Sequence, residues 1–252
     1  MNSTQKQDFT DVTFEKTSIS AKTQFYAIML LTFIVGLVLM LSLAVGLSFW
    51  FSTEHFANFF EQHWIALIIA LVVIFLVNFF LTMFIGMFKN PYVKLALFPV
   101  FIIFYGIVIA LAFFAYFNLA SPETMNNMPA MIGIMLIPAG VMVIAAILGL
   151  FQLVNIRVMW IFVAFLSVAF LITFFVSFFV YRANWYVTVI GTALISINMI
   201  IQWWMIRKTA DVAQYMSKRD MLSIAIQEGI LLFISYAQLL WYVIMLFVGR
   251  RD

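Results

Sequence analysis

The chain contains no cysteine, which excludes disulfides, thiolate metal centres and a cysteine nucleophile together. Charge is almost as scarce, at 9% of 252 residues against about 25% in an ordinary globular domain. No basic stripe exists either. A net charge of +3 and a pI near 9.2 come from Lys and Arg scattered singly or in pairs at the ends of apolar runs. Such charges suit the setting of membrane topology and exclude nucleic acid as a partner. Enzyme signatures are missing as well: there is no G-x-S-x-G elbow, H-E-x-x-H pair, Walker loop or dinucleotide glycine pattern. No His or Asp falls inside an apolar run, so a zinc-dependent membrane hydrolase lacks its ligands. The sequence therefore implies no enzyme and no cofactor.

What fills the chain is apolar, with 66% hydrophobic residues. A soluble domain of this size cannot hide so much apolar surface, because its interior grows too slowly with length. Seven runs are long and charge-poor: Phe25–Phe51, Trp64–Phe88, Tyr92–Phe117, Met128–Leu153, Val158–Tyr181, Trp185–Ile206 and Met221–Val248. Each meets the roughly 20 residues that a membrane-spanning helix needs. Leu, Ile and Phe fill both parities of these runs, whereas a barrel strand alternates. The expected fold class is all-α, a polytopic integral membrane protein of about seven transmembrane helices in one bundle. Residues 25–249 form the bundle and residues 1–24 a polar tail. Short connections imply that consecutive helices are antiparallel neighbours. The first run is too long for a signal peptide and is not closed by a small-residue cleavage site.

The cations set the sidedness. With the amino terminus inside, ten of them share its side: Lys6, Lys16, Lys22, Lys89, Lys94, Arg157, Arg207, Lys208, Lys218 and Arg219. Arg182, Arg250 and Arg251 fall on the other side. This asymmetry places the amino terminus in the cytoplasm and the protein in the cell membrane. Trp50, Trp64, Trp185, Trp203 and Trp204 stand near run ends, where an indole can meet the headgroups. Gly140, Ala145, Ala146 and Gly149 give the fourth run a small-residue surface for close helix contact.

Polar side chains are costly in hydrocarbon, so their spacing is informative. Glu228 is the one acid expected inside the membrane, either as a protonatable group or cation ligand, or as an interfacial acid pairing with Lys218, Arg219 or Arg207. Glu228, Ser235, Gln238 and Tyr242 fall on one helical stripe, and Thr188, Thr192, Asn198 and Gln202 on another. Two such stripes on adjacent helices face each other or a shared cavity, as hydrogen-bonded glue or as a hydrated path. Asn78 and Thr82 form a weaker pair on the second run. The first outer loop carries Glu54, His55, Glu61 and His63, a weak candidate set for a metal ion.

The last two runs resemble the Bax inhibitor-1/YccA family of seven-helix membrane proteins. The residues are Leu232-Phe233-Ile234-Ser235-Tyr236-Ala237-Gln238-Leu239-Leu240, set against the family's L-Y-L-D-x-x-N-L-F, then the tail Gly249-Arg250-Arg251-Asp252. Ile201-Gln202-Trp203-Trp204-Met205-Ile206 is similar to the family's Y-D-T-Q-x-I, and Phe104-Tyr105-Gly106-Ile107 to its third helix. The resemblance implies a seven-helix fold and, for members associated with calcium leak, two intramembrane aspartates that share protons. Those aspartates align with Gln202 and Ser235, which do not titrate near neutral pH. The family's basic partner on the second helix has no counterpart in Trp64–Phe88.

Three functions stay open at this level. One is a cation leak, for calcium if the resemblance carries, using Glu228, Gln202, Ser235, Gln238, Asn198 and Tyr242. Another is a non-conducting regulator that binds a membrane protease or other membrane-protein partner. The third is a small-solute transporter built on the same stripes, with the lipid bilayer as surroundings in every case.

Overall fold

The structure, a computed structural model, describes residues 20–119, 128–180 and 183–248, apart from several side chains in the first half of the second helix and at either end of the 120–127 segment. It is a bundle of seven long helices: α1 (Ala21–Phe51), α2 (Glu54–Phe84), α3 (Pro91–Leu119), α4 (Met128–Leu150), α5 (Ile156–Ser177), α6 (Ala183–Val212) and α7 (Lys218–Val248). Six of them are long and apolar enough to cross a bilayer among the described residues, and the described end of α2, Leu76–Met87, is apolar too. The chain is thus a multi-pass, all-α integral membrane protein. Arg182, Arg250, Arg251 and residues 1–19 lie outside the described residues.

Local chemistry fixes the helix starts. Ser20 caps α1, its hydroxyl accepting from the Thr23 N–H at 3.2 Å, so the helix begins at Ala21, ahead of the first apolar residue. Thr53 caps α2 and accepts from the Phe56 N–H. That cap moves the start of α2 back to Glu54, so Glu54, His55, Glu61 and His63 belong to a helix and not to an outer loop. The backbone leaves helical geometry at His63, which marks a kink where the long apolar stretch begins. Asn155 caps α5 by accepting from the Arg157 N–H at 3.0 Å.

Two consecutive pairs, α5–α6 and α6–α7, are neighbours as short connections imply, but the tightest contacts join helices that are not adjacent in sequence. The tight core is the triad α1, α3 and α7, with α4 and α6 added around α7, while α5 rests on α6. The lightest packing is that of α2, which leans on α3 and α1. Size explains the order. Gly229 of α7 lets that helix approach α1 so closely that a Cβ there would lie 2.6 Å from the Met29 carbonyl oxygen. Gly149 of α4 meets α6 in the same way, 2.6 Å from the Ile200 carbonyl oxygen. In lipid such close backbone contact is a main source of helix association, since lipid tails and Leu side chains compete equally. Gly140, expected on the same small surface, instead faces outward with nothing within 4 Å.

Contacts at one end of the bundle gather the cations. Lys22 pairs with Asp211, joining the start of α1 to the end of α6. The Arg207 guanidinium donates to the Leu150 carbonyl at the end of α4, satisfying an orphan helix-end acceptor. Lys208 lies 3.9 Å from the centre of the Trp204 ring. Trp203 departs from its expected interfacial place. It is buried against Gly149, with an indole N–H that has no partner. Trp50 and Trp185 are exposed, as an interfacial ring requires.

Candidate binding cavity

The side chains of the two predicted stripes diverge. Ser235 of α7 donates to the Gln202 side-chain oxygen of α6 at 3.0 Å, so these two do meet across the helix pair. Gln238, one turn further along α7, turns toward α3 and donates to the Tyr105 hydroxyl oxygen at 3.2 Å. Thr188 and Thr192 spend their hydroxyls on carbonyls of their own helix, at Asn184 and Thr188. They hold no partner on α7. Tyr236, which the stripes did not include, donates to the Met135 carbonyl in the turn before Pro138 of α4. A proline removes a donor from the helix ladder, and a neighbouring hydroxyl can take up an acceptor near the break.

Replacing Ser235 with Ala would strand the Gln202 oxygen in a dry contact. The expected loss is about 0.6–2 kcal/mol, read as a lower thermal midpoint in detergent. An unchanged midpoint would mean that the pair contributes nothing.

Glu228 stands apart from the rest of its stripe. Among the described residues Glu228 forms no ion pair with Lys218, Arg219 or Arg207, and the charge that bears on it is that of Lys94 of α3. Lys94 is only 2% exposed and donates to the Gln227 side-chain oxygen at 2.7 Å and to the Ser223 carbonyl at 3.1 Å. It therefore pins the start of α3 to the first turns of α7. By sequence Lys94 is only one of the topology-setting charges at a run end. A signal was present: Lys94 lies four residues inside an apolar helix that begins at Pro91, deeper than a flanking charge needs to be. Gly86, just after α2, sits against the Gln227 amide, so the α2–α3 joint closes over the same cluster.

Beyond this cluster the bundle opens into a cavity of about 860 Å³ bounded by α2, α3, α5, α6 and α7. Its polar lining is Asn78, Thr82, Tyr105, Asn198, Gln238 and Tyr242. Phe79, Phe104, Phe170 and Trp241 supply aromatic wall. None of the lining residues is charged. Gln202, Ser235 and Glu228 are not among them, whereas Asn198, Gln238 and Tyr242 are. Asn78, the weaker sequence candidate, proves central. It is 4% exposed, and its amide nitrogen has no hydrogen-bond partner. The Thr82 hydroxyl donates to the Asn78 backbone carbonyl and does not engage the side-chain amide nitrogen. Gly191 makes room for the Tyr242 ring, since a Cβ there would meet the ring at 2.6 Å.

Comparison with protein-family models, curated proteins and solved structures finds no match. The site therefore has to be read from its own chemistry. For the proposed metal set, only His63 has a described side chain; it is exposed and pairs with the Phe59 ring at 5.0 Å. The side chains of Glu54, His55 and Glu61 lie outside the described residues. No group of three metal-binding side chains occurs among the described residues.

Proposed function

We propose that this membrane protein binds, and carries across or within the bilayer, a small uncharged molecule held in the cavity between α2, α3, α5, α6 and α7. The placing of charge carries the reading. The cavity wall is aromatic and neutral-polar, the usual lining of a site for an uncharged organic ligand, and its volume falls in the range of about 300–1,000 Å³ typical of such sites. A cation path needs carboxylates or free oxygen rings to replace water. Here Glu228 does not line the cavity. The Gln202 and Ser235 oxygens are engaged with each other.

The Bax inhibitor-1-like reading of the chain stands as part of the same proposal. Its support is that Gln202 and Ser235, the positions aligned with that family's paired aspartates, lie within hydrogen-bond distance. With an amide and a hydroxyl in those places, a proton-linked calcium latch has no titrating pair. The regulator reading draws on the amino-terminal tail, and residues 1–19 lie outside the described structure.

The test is reconstitution in liposomes loaded with a calcium dye, beside thermal unfolding of the detergent-solubilised protein with small uncharged solutes. Calcium flux is expected to equal that of protein-free liposomes and to be the same for Glu228→Gln. At least one uncharged solute should raise the midpoint in wild type and fail to do so in Asn198→Leu. Calcium flux that disappears in Glu228→Gln would overturn the proposal and restore the ion path.

A further inference from the structure

Part of the cavity wall is exposed on the outside of the bundle. Val72, Phe79 and Met83 of α2 line the cavity and are nevertheless 52%, 52% and 63% exposed. On the other side Phe170 of α5 contributes. Among the described residues α2 packs on α1 and α3 and α5 packs on α6, and no substantial contact joins α2 to α5 beside the cavity. Depth follows from the helix rise. Asn78 stands eleven residues before Lys89, the exposed cation at the end of this stretch. Six residues of α-helix to Phe84 at about 1.5 Å each and the 3-10 turn Ile85–Met87 at about 2.0 Å each give about 15 Å to the end of this stretch, close to the middle of a hydrocarbon core about 30 Å thick. An opening at that depth admits what is dissolved among acyl chains.

The chemistry inside narrows the ligand. A buried amide N–H without an acceptor costs roughly 1–3 kcal/mol, and in hydrocarbon no water stands ready to satisfy it. Asn78 therefore calls for an oxygen acceptor from outside the protein. With no charged residue in the wall, an ionised headgroup at this depth would be left without a counter-charge. The volume accommodates one flexible chain of drug-like size.

We infer that the cavity takes its ligand sideways from the bilayer through the gap between α2 and α5, and that this ligand is an uncharged single-chain lipid whose hydroxyl or carbonyl oxygen accepts from Asn78. The inference rests on the cavity being a binding site, and it adds the route and the ligand class.

The full chain in nanodiscs permits a direct test with a monoacylglycerol bearing a diazirine on its acyl chain. A phosphatidylcholine bearing the same diazirine reports ordinary lipid contact. After irradiation, the monoacylglycerol label is expected to concentrate on residues 72–83 and 238–242 and to be displaced by unlabelled monoacylglycerol. The phosphatidylcholine label should spread over the outward face of α5. Asn78→Leu should lower cavity labelling about two- to tenfold, the worth of one hydrogen bond. Val72→Trp, which narrows the opening while leaving Asn78 in place, should lower it too and guards against misfolding of the first variant. Glycerol, a water-soluble uncharged solute, separates the two levels of the proposal. If the monoacylglycerol and phosphatidylcholine labels coincide and neither variant matters, while glycerol raises the thermal midpoint in wild type and not in Asn78→Leu, the lipid inference fails and the cavity reading stands. If neither molecule responds to Asn78→Leu, both fail.

Discussion

Lys94→Ala is expected to lower the stability of the detergent-solubilised protein by about 2–4 kcal/mol, the largest loss from any single polar side chain in the bundle. The lysine is almost fully buried and makes two hydrogen bonds to α7, one of them to the Gln227 side chain. Truncation removes a long alkyl stem from the core and leaves the Ser223 carbonyl and the Gln227 oxygen without their donor. It also removes the positive charge that bears on Glu228. Lys94→Met separates the two contributions, because it keeps most of the stem and loses only the ammonium. The midpoint of Lys94→Met should fall between those of wild type and Lys94→Ala. If Lys94→Ala unfolds at the wild-type midpoint, the ammonium does not join α3 to α7. The side chain would then be an ordinary interfacial cation.

Gly229→Leu should abolish a stable fold, and Gly229→Ala should weaken it. A Cβ at this position would lie 2.6 Å from the Met29 carbonyl oxygen and 2.8 Å from the Thr32 Cβ. The first of these is backbone, so relief requires α1 and α7 to separate along the central contact of the bundle. Overpacking of this kind typically costs about 1–3 kcal/mol. That exceeds the gain of about 1 kcal/mol that alanine brings to a helix interior over glycine. Gly140→Ala is the matched control. It lies within α4 with nothing within 4 Å, so only the propensity gain applies and the midpoint should stay level or rise. Fluorescence-detected size exclusion after heating measures all three. A Gly229→Ala protein as stable as wild type would show that the α1–α7 approach is looser than described.

Much of this was legible in the residues themselves. Membrane residence and helical spans follow from the run lengths, since only lipid tolerates such stretches and only internal backbone pairing satisfies them there. That Gln202 and Ser235 each lie on a polar helix face was readable from 3.6-residue periodicity. Caps were harder to see: Thr53 extends α2 back through a stretch rich in polar residues that looked like a loop. Lys94 was misjudged because charge counting treats every cation near a run end alike. Its burial depends on Gln227 and the Ser223 carbonyl being 133 and 129 residues away in the chain and adjacent in space.

Periodicity tells which residues share a face and says nothing about which helix that face will meet. The sequence alone determined that the chain is a bundle of apolar helices in lipid, because hydropathy and length are properties of each segment taken singly. Which helices touch, and therefore that Glu228 answers to Lys94 while Asn78 lines an uncharged space, was decided by tertiary packing. Close contact at Gly229 and Gly149 fixes the helix order there, and the cavity is what remains where α2 and α5 do not close on each other.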